Sequence, residues 1–262
     1  MEIPRLGFGT WQSTGDDCVR AVEKALEVGY RHIDTADRYG NHHEVAKAIK
    51  SSGLKREDFF LTTKKWWDQL TKQDVVDDVH RFLEELRVDY LDLVLVHWPN
   101  RQFDPRDTFE GFEELKREGV IKHAGVSNYT KHHLEDVLDA GFEIFTNQVE
   151  HHPTFNQMEL KKFCDAKNIR LTAYSPLGRG VDLTNEIVSG LSDKYGVSSA
   201  QVILNWTISR GIIAIPKSIT SARIEDNFKS LNWKMAPEDV EKVNSIPQKP
   251  RLLDPDFGDF GY

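Results

Sequence analysis

The sequence predicts an α/β protein of the TIM-barrel class, a single (β/α)8 domain spanning residues 1–262. Three observations carry that reading. Short β-branched or aromatic runs alternate with amphipathic helical runs along the whole chain, which argues for a parallel sheet. Eight strand-like runs occur. The 262 residues allot about 33 to each unit, close to the roughly 30 of a βαβ unit, and the total matches a typical barrel. An open doubly wound sheet is the competing arrangement. No low-complexity tract or Gly/Ser linker divides the chain.

The first strand-like run is Leu6–Thr10. In the helix that follows, Val19, Val22, Ala25 and Leu26 recur at helical spacing, and Gly29 is placed as its C-cap. Tyr30–Asp34 and Phe59–Lys64 are the second and third strands. Asp74–Val88 puts Val75, Val76, Val79, Phe82, Leu83 and Leu86 on one helical stripe. Leu91–His97, Ile121–Ser127, Ile144–Val149 and Ile169–Tyr174 are strands four to seven. The stretch Asp182–Gly211 holds an extra helix, because Ser198–Gln201 reads as a capping box opening a second helical run. Ile212–Ile215 is the eighth strand. Pro247, Pro250 and Pro255 mark a short C-terminal tail without regular structure, lying over the C-terminal rim.

Composition excludes several functions. With 39% hydrophobic residues the chain can bury a sizeable core, so global disorder is not expected. Forty-two acidic residues against 34 basic ones give a net charge of −8, the wrong sign for non-specific nucleic-acid binding. Cys18 and Cys164 lie in no CxxC or Cys/His cluster, so neither a zinc finger nor a redox pair is expected. The opening MEIPRLGFGT lacks a basic segment followed by an apolar stretch, and no run approaches ~18 apolar residues. A cytoplasmic protein is the expectation. The adjacent pairs His42/His43, His132/His133 and His151/His152 read as solvated surface rather than metal ligands.

In a TIM barrel, reactive groups occupy the C-terminal ends of the strands. Nearly every run here delivers a polar group to that rim. Asp34 ends the second, with Tyr39 five residues on; Lys64 ends the third and His97 the fourth. Ser127 and Asn128 end the fifth, Gln148 the sixth, and Tyr174 and Ser175 the seventh. Lys217 and Ser218 follow the eighth. Each alone has an ordinary structural explanation, as a helix cap, a solvated Lys64–Lys65 pair, a turn aromatic or a core histidine. A full ring of them points to a site.

Tyrosine is a weak acid, with a reference pKa near 10. A neighbouring cation lowers that value, and Lys64 is the candidate. Asp34 can hold Lys64 charged and fixed, and His97 can orient a carbonyl oxygen. This is equipment for giving a proton to a carbonyl while a hydride reaches its carbon. No GxSxG nucleophile motif or convincing metal-ligand set is present. GxGxxG is also absent, which disfavours a Rossmann site but not nicotinamide binding. Lys217 and Arg223 place two cations beside a predicted helix N-terminus, where a 2′-phosphate would be favoured. Tyr174 can stack on a nicotinamide ring, and Ser127, Asn128 and Gln148 can hydrogen-bond its carboxamide. Trp11, Trp66 and Trp98, at the ends of strands one, three and four, suit the walls of a small carbonyl pocket. Trp206 and Trp233 read as packing residues. Leu252 and Phe257 in the tail are placed to close the pocket.

The segments GFGTW, IDTADRYGN, TTK, LVHWP, GVSNY, NQVE, YSPLGRG and IPKS, in this order from residue 4 to about 255, resemble the aldo-keto reductase family. The short form is similar to its small prokaryotic-type members, among them the 2,5-diketo-D-gluconate and methylglyoxal reductases. The resemblance implies a catalytic tetrad of Asp34, Tyr39, Lys64 and His97. It also implies NADPH, preferred over NADH, lying extended over the rim. Strand ends would supply cofactor contacts from Thr10, Trp11, Asp34, Ser127, Asn128 and Gln148. Tyr174, Ser175 and Leu177 would follow, then Lys217, Ser218, Thr220, Arg223, Asp226 and Asn227. Trp11, Tyr39, Trp66, His97 and Trp98 would meet a small-molecule carbonyl substrate. Lys65 stands where the family often has an aliphatic residue, and Asp226 where it usually has Glu. The covering loop is shortened to Pro250–Tyr262, implying an open pocket. The family favours a monomer. Three alternatives stay open: the same site running as an NADP-dependent alcohol dehydrogenase, a non-catalytic NADP-sensing binding subunit, and a barrel hydrolase using metal-bound water.

Overall fold

A computed structural model describes residues 2–262. Among them, eight strands form one all-parallel sheet in sequence order: β1 (Phe8–Gly9), β2 (His32–Asp34), β3 (Phe60–Lys65), β4 (Leu91–Val96), β5 (Ile121–Ser127), β6 (Thr146–Glu150), β7 (Arg170–Tyr174) and β8 (Ile213–Ala214). The sheet closes on itself. Leu6 bridges Ala214 in parallel, Gly7 N–H donates to the Ala214 carbonyl at 2.8 Å, and Ala214 N–H donates to the Arg5 carbonyl at 2.9 Å. This is the expected TIM barrel, not the open sheet.

The seam strands are shorter than their apolar runs. Pro216 has no N–H to give, so regular pairing stops after β8, and only its carbonyl is used, by Gly9 N–H at 3.1 Å. The approach is close there. A Cβ on Gly9 would stand 2.9 Å from the Ile215 carbonyl oxygen.

Ten α-helices are described: α1 (Gly15–Val28), α2 (His42–Ser52), α3 (Lys72–Leu86), α4 (Pro105–Glu118), α5 (Lys131–Asp139), α6 (Met158–Ala166), α7 (Glu186–Tyr195), α8 (Ser199–Ser209), α9 (Ser221–Phe228) and α10 (Pro237–Asn244). Gly29 ends α1 at φ 121°, its N–H on the carbonyls of Ala25 and Leu26. Helix α3 begins two residues before the expected Asp74, because Thr71 caps it and Asp74 closes the box as its third residue. It stops at Arg87, which adopts a left-handed conformation.

The extra helix is α7, and Ser198 opens α8 by accepting from Gln201 N–H at 3.2 Å. The reciprocal half of that box is missing, because the Gln201 amide reaches Asp226 instead. The main core lies between sheet and helices. A smaller cluster, with Val188, Leu191, Val202, Trp206 and Met235, seats α7 and α8 on α10. Trp206 is fully buried, so its packing role holds.

The reading of the histidine pairs as surface is corrected. His43 and His132 are exposed, but His42, His133, His151 and His152 are buried. All four find polar partners that make burial tolerable: His42 meets Glu85 and Thr63, His133 meets Thr130 and Asp259, His151 accepts from Arg210 at 3.1 Å, and His152 meets Asp182 and Glu150. His151 stacks on Trp206. The tail is irregular apart from one 3-10 turn, Asp256–Gly258, and it folds over the C-terminal rim. Among the described residues no helix is long and apolar enough to cross a membrane, and no cluster of His, Cys, Asp and Glu could hold a metal.

Candidate active site

At the C-terminal rim a cavity of about 1050 Å³ runs from Trp66 and Trp98 to Arg223 and Asn227. Its Trp66 end is built from three neighbouring strands. Asp34 is the last residue of β2. The chain then makes a 3-10 turn, Asp37–Tyr39, which Gly40 ends in a left-handed conformation (φ 63°) before α2. Lys64 is the penultimate residue of β3. His97 directly follows β4, its N–H on the Lys65 carbonyl at 2.9 Å.

Alternation along the strands turns these side chains to the same interior. Lys64 Nζ donates to Asp34 Oδ1 at 2.5 Å, to the Thr35 carbonyl at 2.7 Å and to the Tyr39 hydroxyl at 3.3 Å. Gln148 Nε2 donates to the other Asp34 oxygen at 2.7 Å. The His97 ring meets the Tyr39 ring edge-on at 5.7 Å and the Trp66 ring at 5.2 Å. Lys64, Lys65 and Asp34 are buried, so the solvated-pair explanation of the lysines fails. Lys65 points away from the cavity and pairs with Asp78 on α3 at 2.5 Å.

The expected lowering of the Tyr39 pKa is not found. Burial, reinforced by the Asp34 charge, holds the phenol well above its ordinary value. The Lys64 ammonium is committed first to Asp34 and Thr35 and reaches Tyr39 only at 3.3 Å. Burial also lowers Lys64, opposed by Asp34. It drives His97 well below its ordinary value, helped by Lys64, so His97 is a neutral imidazole. The site thus holds a protonated phenol and a neutral ring beside a buried ion pair.

The middle of the cleft brings together Ser127, Asn128, Gln148 and Tyr174. Ser127 Oγ donates to the Gln148 carbonyl at 2.8 Å, Asn128 Nδ2 to the His97 carbonyl at 3.0 Å, and the Tyr174 hydroxyl to Asn128 Oδ1 at 2.8 Å. Asn128 and Ser175 have positive φ, 64° and 47°. Much of the hydrogen-bonding capacity expected to face a carboxamide is therefore spent within the protein. The far end carries Lys217, Ser218, Thr220 and Arg223 around the first turn of α9. Asp226 accepts from Ser198 at 2.5 Å and Gln201 at 2.6 Å, so its carboxylate ties α9 to α8.

Of the catalytic, cofactor-binding and substrate-binding residues expected from the sequence, only Thr10 and Lys64 lie behind the cavity wall. Lys64 is beneath Tyr39, and the Thr10 hydroxyl is turned onto the Asp34 carbonyl at 3.0 Å. Trp11, Trp66, Trp98, Leu177 and Phe257 line the cavity, whereas Leu252 does not. Leu252 instead anchors the tail, its N–H on Glu150 at 2.6 Å, and Leu253 faces the cleft. Phe257 stacks on Trp67 and meets Trp66 and Trp98 edge-on. Among the residues that escaped the sequence reading, three polar ones bear on the site. Asn41 is buried and its amide holds the Thr10 and Ser13 carbonyls. Arg38 and Arg179 both face the cleft. The segments IDTADRYGN and YSPLGRG contain all three, but nothing in a spacing marks which side chain turns inward.

The donor set fits a nicotinamide dinucleotide. The cleft is long, and its α9 end offers Lys217 and Arg223, which have no carboxylate partner among the described residues, beside a helix N-terminus. Comparison with known proteins agrees with the geometry. The family model described as "Aldo/keto reductase family" matches residues 5–248. The chain is 38% identical over 254 residues to glyoxal reductase of Bacillus subtilis, covering 96% of this chain and 92% of that protein. It is 37% identical to methylglyoxal reductase DkgA of Escherichia coli K12, covering 99% and 94%. Among solved structures, an aldo-keto reductase enzyme from a Medee basin deep-sea metagenome library superposes with TM-score 0.95 at 37% identity, covering 100% and 97%. A putative 2,5-diketo-D-gluconic acid reductase B gives 0.94 at 32% identity, covering 98% and 92%.

Proposed function

The chain belongs to the aldo/keto reductase family, oxidoreductases that act on carbonyls with nicotinamide cofactors, and from that premise we propose that it reduces small aldehydes and ketones with NADPH, Tyr39 supplying the proton. The observation that carries the reading is the Tyr39 hydroxyl at 3.3 Å from Lys64 Nζ, with His97 packed against its ring at one end of the cleft.

When bound, the reduced nicotinamide supplies a hydride to the carbonyl carbon. Lys217 and Arg223 would hold its 2′-phosphate, with the first turn of α9 favouring the same charge. Tyr174 would stack on its ring, and Gln148 and Asn128 would meet its carboxamide. The remaining work is done by the protein. His97 is neutral and can donate one N–H to the carbonyl oxygen, which fixes the oxygen toward Tyr39. Tyr39 keeps its proton at neutral pH, because burial raises it. It gives that proton up when the carbonyl oxygen gains the basicity of an alkoxide. Lys64, held by Asp34, then stabilises the phenolate that remains. Trp11, Trp66 and Trp98 wall the carbonyl end.

The test is oxidation of NADPH, followed near its absorbance at about 340 nm, across a panel of carbonyls that includes methylglyoxal and glyoxal, repeated with NADH. Turnover that is faster with NADPH supports the proposal. A cofactor preference that survives Lys217→Met with Arg223→Met removes the 2′-phosphate assignment.

A further inference from the structure

Two charged side chains of the cleft, Arg38 and Arg179, have no task in this scheme. The cavity is lined by four cations, Arg38, Arg179, Lys217 and Arg223, and by two carboxylates, Asp34 and Asp226. Both carboxylates are already engaged, Asp34 by Lys64 and Gln148, and Asp226 by Ser198 and Gln201. Among the described residues none of the four cations pairs with a carboxylate. This occurs in a chain of net charge −8, which has carboxylates to spare. The cleft is therefore an anion-attracting concavity in an acidic protein.

The cations divide by position. Lys217 and Arg223 stand at the α9 end. Arg179 lies over Trp11, 5.0 Å from its ring centre, on the loop after β7. Arg38 is at the opposite end. It precedes Tyr39 in the same 3-10 turn, and its guanidinium carbon is 5.5 Å from the centre of the Trp66 ring. Trp66 in turn meets His97 edge-on. The stack on Trp66 steadies the guanidinium without using its N–H donors. The nicotinamide ring itself carries no phosphate, so the cation next to Tyr39 in the turn and stacked on Trp66 is left to the substrate.

We propose that Arg38 is a specificity-determining residue that selects carbonyl substrates bearing a carboxylate, so that the preferred class is an oxo acid or a carboxylated aldehyde rather than a neutral carbonyl. This rests on the reductase reading of the cleft. A planar guanidinium can take a carboxylate through two parallel N–H donors. Arg38 is exposed at the cleft mouth, so solvent screens the pair and the discrimination is about tenfold rather than absolute.

The experiment compares initial rates with NADPH for 4-carboxybenzaldehyde and for its methyl ester, which keeps the ring and an activated carbonyl but loses the charge. The unaltered enzyme is expected to favour the acid by about tenfold in kcat/KM, mostly through KM. Arg38→Met brings the ratio to about one, and Arg38→Lys keeps part of it, because the charge stays while the paired donors are lost. A ratio near one in the unaltered enzyme, or a preference that Arg38→Met leaves intact, overturns the proposal. In either case turnover of the ester leaves the reductase reading standing. No turnover of either compound overturns both. A second pair, glyceraldehyde 3-phosphate and glyceraldehyde, separates the anion sources: a preference confined to the phosphorylated compound overturns the carboxylate assignment.

Discussion

Lys64 is 2.5 Å from a carboxylate oxygen and 3.3 Å from a phenol oxygen, with no water-exposed surface of its own. Its charge serves Asp34 first, because Asp34 is buried and ionic pairing is the condition of keeping a charge there. The phenol is left raised by burial, the reverse of what the mere presence of a nearby lysine suggests. Residue types announced which groups meet, but the direction of the shift depends on distances and burial that no spacing contains. Lys64→Met is therefore expected to act twice. It removes the support of the phenolate, lowering kcat by roughly 10²-fold or more. It also strands the Asp34 carboxylate, costing on the order of 3 kcal/mol. Steady-state rates and a thermal melt separate the two, and adding Asp34→Asn to the variant recovers stability without recovering rate.

The element that carries Tyr39 is a three-residue turn, too short to hold its own geometry. It is fastened from outside. Arg81 on α3 donates to Asp37 of the turn at 3.1 Å, to Asp78 at 2.7 Å and to Glu85 at 2.7 Å. Burial opposes the guanidinium charge, but these three carboxylates outweigh it and raise the Arg81 pKa. Asp78 also takes Lys65, and Glu85 takes His42, whose other nitrogen meets Thr63 of β3. The amphipathic stripe of α3 was legible as Val75, Val79, Phe82 and Leu83. Its polar face was not, because nothing in the spacing of Asp78, Arg81 and Glu85 shows that α3 lies against the turn. Arg81 is 40% exposed, so each pair is worth at most about 1 kcal/mol. Arg81→Met is expected to lower kcat by roughly three- to tenfold through a loosened Tyr39, with KM for cofactor little changed. Arg81→Lys restores part of kcat. An equal loss in both variants, matched by the loss of melting temperature, would assign Arg81 to stability alone.

Across the whole molecule the barrel was legible because period and count repeat eight times, and the extra helix because Ser198 caps α8. The seam was not, since Leu6–Thr10 and Ile212–Ile215 look like full strands and only Pro216 limits them. The tail was the least legible part, because its anchor is Glu150, whose carboxylate takes the N–H groups of Leu252 and Leu253. Glu150 is joined by His152, which lies 2.7 Å from Asp182 and 3.2 Å from Glu150. Burial alone would lower the His152 pKa, but Asp182 and Glu150 outweigh it and raise it. A raised histidine contributes fully below its unfolded value near 6.5 and loses that contribution as pH climbs through the folded value. Asp182 works oppositely. Burial is outweighed by His152 and Thr154, which lower its pKa from 3.8, so its contribution is present above that value and fades as pH falls through the lower one. His152→Gln should therefore lower the melting temperature most at about pH 5.5 and least at about pH 9. A gap that does not change across this range would mean that His152 is not charged in the fold.

The most direct measurement is single-turnover NADPH oxidation by Tyr39→Phe, made on the best carbonyl of the panel and alongside fluorescence titration of NADPH. The variant is expected to bind the cofactor as tightly as the parent, within about twofold, and to lose roughly 10²- to 10⁴-fold in the rate of reduction. Reduction by the variant within about threefold of the parent rate would mean that the carbonyl oxygen takes its proton from another group, and Tyr39 would lose its role.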